Sequence, residues 1–270
     1  MTRTRTTLVA LAILLVSTLL IAPAYAERTP GAFSVGFGTV PITVEGLTDV
    51  HVSDWETFGL GGAEGRIALP LSDGNTNAPM APGIKLGYNY RLPQLVDVSF
   101  DLGIYVDNVA VLTLGFGADL YFVDQGWGRF GAMGRVGLIA ASMSAGDANV
   151  LPGYASPVIT SMGTINNGDT VSAQMNGLLT SAGMVAEFSL TETMSVRAET
   201  QFFYGVLSDL KITARNPNTT SSTDSTANNV ELDVTSSAVV KTDGTGTQAG
   251  IDPSGSSTGL STTLSLVWDL

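Results

Sequence analysis

The sequence predicts an all-β protein, an eight-stranded antiparallel up-and-down transmembrane β-barrel. After residue 26, apolar side chains recur at every second position in segment after segment, which is the period of a strand with two different faces. No later stretch approaches the roughly 18 consecutive apolar residues that a membrane helix requires. Short and long connections also alternate along the chain, as in barrels with tight turns at one end and long loops at the other.

Eight segments carry this alternation, and each has one apolar and one polar or glycine-rich face. The first four are 31–43, 82–92, 95–107 and 109–123, with apolar faces led by Phe33, Ile84, Phe100 and Leu114. The last four are 128–143, 177–190, 195–212 and 260–270, with apolar faces led by Val136, Met184, Phe202 and Leu266. In the seventh segment we expect the apolar face to continue to Leu210 and Ile212.

The connections divide into two classes. Short turns are predicted at 93–94, 124–127 and 191–194, and Asp107-Asn108 forms one further short hairpin. Long loops are predicted at about 44–81, 144–176 and 213–257. An even number of strands places both termini at the short-turn end, so residues 27–270 are expected to form one barrel domain.

Residues 1–26 have the pattern of a cleaved secretory signal peptide. Arg3 and Arg5 supply the positive start, an apolar stretch follows, and Ala24-Tyr25-Ala26 provides a small-residue cleavage site. The apolar stretch is short of a full membrane span, which argues against an uncleaved anchor. We therefore expect export and localisation in a bacterial outer membrane.

From the alternating segments and a last strand that runs to the final residue, the chain resembles the eight-stranded outer-membrane barrel family of OmpA, OmpX and OmpW type. The resemblance covers essentially all of 30–270. It departs from the family at the end, because Leu270 replaces the usual phenylalanine and Trp268 supplies the aromatic ring. Nothing follows the barrel segments, so we expect no peptidoglycan-binding domain.

Charge and composition exclude several classes of function. The formal net charge is −12, and the chain has no cysteine. An acidic protein disfavours nucleic acid as a partner, and the lack of cysteine excludes a disulfide scaffold. We expect no cofactor and no metal, because the acidic loops lack the spacing of a calcium loop. Solvation explains those acids, with recruitment of divalent cations or binding of a basic partner as alternatives.

The central parts of the polar faces hold as many bases as acids, although the whole chain is acidic. Equal numbers can pair off inside a narrow lumen, where an unpaired charge would cost several kcal/mol. This balance predicts that the polar faces point inward and plug the barrel; solvation on one face of a soluble sheet is the alternative. The predicted lumen charge network consists of Lys85, Arg91, Asp97, Asp101, Asp119, Arg129, Arg135, Glu187, Arg197 and Glu199.

Aromatic side chains cluster near the short turns. This is where an interfacial girdle is expected in an outer-membrane barrel, although the same rings could be ordinary core residues. The predicted periplasmic aromatic girdle consists of Tyr90, Phe122, Trp127, Phe130, Phe188 and Trp268.

The function predicted from these features is that of a small outer-membrane barrel with a structural or surface-interaction role. We expect a monomer without enzymatic activity that contacts membrane lipid, lipopolysaccharide and, through its last strand, the barrel-assembly machinery. A narrow channel for small solutes is one alternative. The other is a lipid A-modifying enzyme, because His51 and Ser53, with Glu56 nearby, are similar in spacing to the catalytic pair of the outer-membrane lipid A deacylase.

Overall fold

The structure is a computed structural model. It describes residues 30–45, 50–53, 66–69, 78–92, 95–151, 158–160, 163–215, 229–233, 239–242, 248–250 and 254–270. The predicted signal peptide lies outside the described residues. Within the described residues, no helix is long and apolar enough to cross a membrane.

The regular structure of these residues consists of β-strands. In chain order they are β1 (Gly31–Glu45), β2 (Val50–Ser53), β3 (Arg66–Ala68), β4 (Ala78–Leu92), β5 (Val96–Val106), β6 (Val109–Gln125), β7 (Gly128–Asp147), β8 (Asn149–Val150), β9 (Val158–Thr160), β10 (Gly163–Ile165), β11 (Thr170–Ser189), β12 (Met194–Arg215), β13 (Asn229–Asp233), β14 (Val239–Thr242), β15 (Gln248–Gly250) and β16 (Ser254–Asp269).

Eight long strands form a closed antiparallel barrel. Their order around the wall is β11-β7-β6-β5-β4-β1-β16-β12, and pairing of β11 with β12 closes the circle. Each is one of the eight segments that the two-residue period predicts, so the predicted all-β, eight-stranded antiparallel fold is confirmed.

The two ends of the barrel differ. At one end lie the short turns and both ends of the barrel chain, where the amide of Leu270 donates to the carbonyl of Gly31 at 3.0 Å. The three long connections leave from the other end, which we call the loop end. Strands β7, β11 and β12 run furthest toward it, whereas β5 and β6 join at Asp107-Asn108.

The predicted faces are observed along most of the wall, with large apolar side chains outside and charged ones inside. The prediction was wrong for Leu210 and Ile212, which are buried in the lumen. The pairing of β12 with β11 shifts between Gln174 and Asn176. Beyond this irregularity, toward the loop end, the inside and outside positions of β12 are exchanged.

Segments of the long connections form a second sheet at the loop end. Its order is β15-β14-β2-β3-β8, so it combines strands from all three long connections. In addition, β13 pairs with the top of β12, from Lys211 to Arg215, and β9 pairs with β10. The long connections are therefore tied to one another by backbone pairing.

Candidate functional site

Six charged side chains form a closed ring across the lumen in the half nearer the short turns. Positive and negative groups alternate around it, and they come from β4, β5, β6, β7 and β12. Lys85 pairs with Asp101 (3.4 Å), Asp101 with Arg135 (2.9 Å), Arg135 with Asp119 (2.6 Å), Asp119 with Arg197 (2.7 Å), Arg197 with Glu199 (2.6 Å), and Glu199 with Lys85. We call this set the ion ring.

A second, open chain of ion pairs lies closer to the short turns. Asp97 pairs with Arg129 (3.0 Å), Arg129 with Glu187 (2.8 Å), Glu187 with Arg91 (3.3 Å), and Arg91 with Asp269 (2.7 Å). The structure thus places all ten residues of the predicted network inside the barrel. Asp269 is an eleventh member that sequence reasoning missed, although it falls on the polar face of the last strand.

Tyr121 connects the ion ring with the open chain. Its hydroxyl accepts a hydrogen bond from Arg197 Nη1 at 3.2 Å, and the Arg129 guanidinium lies 4.1 Å from the centre of its ring. A cation over an aromatic face is stabilised by the ring's electron density. Tyr121 lies two residues after Asp119 and therefore on the inner face, but the predicted network does not include it because that network consists of charged side chains only.

The buried charges depend on one another for their stability. Arg197 is only 2% exposed and contacts Asp119, Glu199 and Tyr121. Arg135 also donates to two wall carbonyls, those of Ala118 and Gly134. Charges taken out of water are tolerated when opposite charges and hydrogen bonds surround them, and removal of one partner leaves the other uncompensated. We call this region, with both sets of ion pairs, the ionic half of the lumen.

The half of the lumen toward the loop end is filled by apolar side chains, which the sequence analysis did not predict. We call it the apolar half. Its most deeply buried members include Val40, Ile42, Tyr105, Val109, Ile139, Met143, Val171, Met175, Leu207, Leu210 and Ile212. Leu69 and Ile165, from the long connections, pack against the same cluster. Most of the inward apolar positions follow the two-residue period. The sequence pattern does not show, however, that these parts of the strands extend above the ionic half and fill the lumen there.

A small cavity separates the two halves. It measures about 30 Å³ and is lined on one side by Lys85, Arg135 and Gln201, and on the other by Tyr105 and Phe203. A volume of this size with polar partners is sufficient for about two water molecules. The cavity at the boundary of the ionic half therefore has room for water and is too small for an organic solute.

The outer wall carries an apolar band. On β11 it runs from Phe188 to Leu178, which is 70% exposed, and polar Asn176 and Gln174 lie outside above it. At a rise of about 3.4 Å per residue and a tilt of roughly 40°, this stretch spans about 25 Å along the barrel axis.

Aromatic rings lie at the short-turn end of the apolar band. The rings of Trp127 and Phe130 are 5.7 Å apart, those of Trp127 and Phe188 6.1 Å, and those of Phe130 and Phe188 5.4 Å. Tyr90 and Phe122 point outward elsewhere around this end, and Trp268 is half-buried. The six residues of the predicted girdle therefore surround the barrel near its short turns.

The candidate catalytic pair belongs to the sheet at the loop end and not to a barrel strand. His51 and Ser53 belong to β2, which pairs with β3 and β14 in the sheet at the loop end. Glu56 lies outside the described residues. Among the described side chains there is no group of three or more His, Cys, Asp and Glu that could hold a metal ion.

The fold and the lumen define a small closed β-barrel with an apolar outer wall and an ionic interior. Similar solved structures include a major outer membrane protein from Thermus thermophilus, with 10% identity, a TM-score of 0.40, and coverage of 88% of this chain and 99% of that chain. The outer membrane protease OmpT from Escherichia coli has 10% identity, a TM-score of 0.39, and coverage of 91% and 99%. The N-terminal β-barrel domain of Pseudomonas aeruginosa OprF has 12% identity, a TM-score of 0.34, and coverage of 90% and 100%.

No protein-family model and no curated protein matches the chain.

Proposed function

We propose that the protein is a small bacterial outer-membrane barrel with a sealed lumen, which displays a structured surface formed by its long connections. The single observation that carries the proposal is the distribution of polarity in the ionic half. There, charged side chains are buried in the lumen while Leu114, Phe116 and Val136 face outward. A water-soluble barrel would have the opposite arrangement, because it would bury these apolar groups.

Membrane placement follows from the wall. A closed barrel has no open sheet edge, which is a requirement for a sheet inside a bilayer. The apolar band of about 25 Å has the height of the lipid-facing band in outer-membrane barrels. The signal peptide predicted at 1–26 supplies the route of export. Membrane lipid and lipopolysaccharide are then the immediate neighbours of the wall.

Two different seals support a structural or surface-interaction role over a channel. The ion ring crosses the lumen through five strands, and the apolar half lies above it. An ion would have to displace paired charges and then enter an apolar region, where an unpaired charge is expensive. We infer that the barrel anchors the protein in the membrane and that the sheet formed from β2, β3, β8, β14 and β15 faces the exterior.

Single-channel recording tests the sealed lumen against the channel. The purified protein in planar diphytanoylphosphatidylcholine bilayers should give no stepwise conductance in 1 M KCl. The double variant Lys85→Ala/Glu199→Ala removes one ion pair of the ring. It is the control in which conductance through the lumen should be easiest to detect. Steady ohmic steps from the unmodified protein would favour a narrow channel and contradict the seal.

Cell fractionation tests the location. The protein should fractionate with the outer membrane and migrate differently on a gel with and without boiling, because a folded barrel resists detergent. Recovery in the periplasmic fraction, with one mobility, would contradict membrane placement.

A monomer is expected after crosslinking of the membrane fraction. Deletion of Trp268 to Leu270 should impair assembly, since the last strand is the proposed contact for the assembly machinery.

The absence of enzymatic activity is part of the same proposal. Expression of the protein should leave the mass of lipid A unchanged. If the mass does change and His51→Ala abolishes the change, the protein is an enzyme of lipid A, and the surface role is secondary.

A further inference from the structure

One boundary between neighbouring strands of the barrel is interrupted over several residues. Strands β1 and β16 pair continuously from Ala32 to Gly38, and pairing resumes only at Thr43 with Ser256. Residues 39–42 of β1 therefore face residues 257–262 of β16 without a regular ladder. On their other sides the same strands remain paired, Val40 with Ala81 of β4 and Leu260 with Phe202 of β12, although the β1–β4 register shifts between Val40 and Ile42. We call the stretch from Gly38 to Thr43, with its β16 partners, the outer seam.

Side chains replace part of the missing ladder. Pro41 has no backbone N–H to donate. The hydroxyl of Ser257 donates to the carbonyl of Pro41 at 2.6 Å, and that of Ser261 donates to the carbonyl of Thr39. Gly259 has φ +151, a conformation that residues with a side chain rarely adopt, and a Cβ there would lie 3.2 Å from Pro41 Cγ. Two hydroxyl groups thus hold together strands whose backbones do not pair.

Polar groups at the outer seam are also left unsatisfied. The buried hydroxyl oxygens of Thr39 and Thr263 have no hydrogen-bond partner. Unsatisfied polar groups raise the free energy of the closed arrangement relative to any arrangement that gives them a partner. At the outer seam they add to the loss of ladder hydrogen bonds, whereas the other buried atoms without a hydrogen-bond partner belong mainly to ionic-half side chains that ion pairs hold in place.

The lumen does not reinforce this seam with charge. Strand β1 has no charged residue before Glu45, and β16 supplies only Asp269, near the short turns. Behind the outer seam lie Val40 and Ile42 of the apolar half, which make contacts without fixed direction. The ion ring joins β4, β5, β6, β7 and β12, so it can stay intact when β1 and β16 separate near the loop end.

We propose that the outer seam is a lateral gate, at which β1 and β16 separate between Gly38 and Thr43 while the ionic half stays closed. Opening would connect the apolar half of the lumen with the surroundings of the outer wall. The gate rests on the proposed membrane placement, because only there do the surroundings include lipid.

Spin labels on β1 and β16 can detect this gate, because the chain has no native cysteine. Nitroxides are attached at Thr43→Cys and Ser256→Cys, which are directly paired, in dimyristoylphosphatidylcholine vesicles. The control pair is Leu112→Cys and Ala140→Cys, on the regular β6–β7 ladder. We expect the EPR spectrum of the seam pair to contain a second component without dipolar broadening. This component should grow with temperature and be absent from the control pair.

A matched pair of serine substitutions makes the test specific. Ser257→Ala and Ser261→Ala each remove a hydroxyl that bridges the seam, and each should increase the ratio of open to closed seam about fivefold. Ser265→Ala is the control, because Ser265 is buried on the same face of β16 but lies opposite Gly36 in the continuous ladder. Labels at Glu45→Cys and Ser254→Cys, the terminal pair of the ladder, provide a second reporter if the first labelled variant does not fold.

Two results would overturn the gate: a single broadened component in the seam pair, as in the control pair, or an equal response to Ser257→Ala and Ser265→Ala. Flotation of the vesicles on a density gradient reports membrane insertion separately. Inserted protein with a closed seam would therefore refute the gate and leave the proposed function standing.

Discussion

The ionic half and the apolar half fill the same lumen with different kinds of contact, and the strands around them differ accordingly. In the described strands of the barrel, four register irregularities lie in the apolar half, between Gly38 and Thr43, Val40 and Ile42, Val171 and Ser172, and Gln174 and Asn176. The ionic half has one, near Tyr121. Ion pairs need fixed distances and directions, whereas apolar packing tolerates a shifted strand. Directional contacts therefore coincide with regular pairing.

The outer surface of the wall around the two halves also differs in polarity. Around the ionic half the outer wall is apolar, and around the top of the apolar half it carries Gln174, Asn176 and Lys211. The lower part is thus inverted with respect to a soluble protein, while the upper part has the polarity of one. On the proposed membrane placement, the difference marks the expected boundary between lipid and water outside the wall.

The largest effect on stability is expected when a member of the ion ring is removed. Arg197→Ala leaves Asp119 and Glu199 buried without their shared partner and should lower the free energy of unfolding by about 3–5 kcal/mol. Urea unfolding in lipid vesicles, followed by tryptophan fluorescence, measures this loss. Arg215→Ala, at an exposed position on the same strand, is the control and should change it by about 0.5 kcal/mol or less. Equal effects of both variants would contradict the role of the ring.

Truncation in the apolar half should produce a loss that depends on cavity formation. Ile212→Ala removes a fully buried side chain and should cost about 2–5 kcal/mol in the same assay. The neighbouring Lys211 is exposed, and Lys211→Ala should cost about 1 kcal/mol or less, because exposed polar contacts contribute little. If Lys211→Ala had the larger effect, the inside and outside positions of this strand would be as the two-residue period alone predicts.

A charge placed on the outer wall should report the height of the apolar band. Val136→Arg lies near the middle of the band and should destabilise the protein by about 2–4 kcal/mol in bilayers. Gln174→Arg lies above the band, at the level expected for water, and should cost about 0–1 kcal/mol. Similar costs at the two positions would place both in the same environment and remove the boundary.

The smallest effect is expected at the cavity between the halves. A Cβ at Gly115 would meet only the Asp101 side chain, at 3.8 Å, so Gly115→Ala should be tolerated or stabilise the protein by about 0.4–1 kcal/mol. Its cross-strand partner Gly137 faces the carbonyl of Leu114 too closely for any side chain, and Gly137→Ala should destabilise. A loss of stability in Gly115→Ala would contradict the expectation that the cavity can accept a methyl group.

Much of the ionic half could be predicted from the sequence because it depends on local alternation. Residues two apart on a strand share a face, so Asp97, Asp101 and Asp119 could be assigned to the lumen without knowing their partners. The pairing itself could not be predicted, because Glu187 and Arg91 meet only when distant strands become neighbours around the closed wall. Tyr121 and Asp269 also lie on predicted polar faces, but their contacts with arginines of distant strands could not be predicted for the same reason.

The sequence by itself determined the strands, the two faces of each strand and the order of short and long connections. All three are encoded in residues close together in the chain, and a strand repeats every two residues whatever surrounds it. Tertiary structure alone decided the closed ion ring, the change of face at Leu210 and Ile212, the apolar half and the interruption between β1 and β16. Each of these arises from the register between strands that closure brings side by side, and that register depends on contacts between residues far apart in the chain.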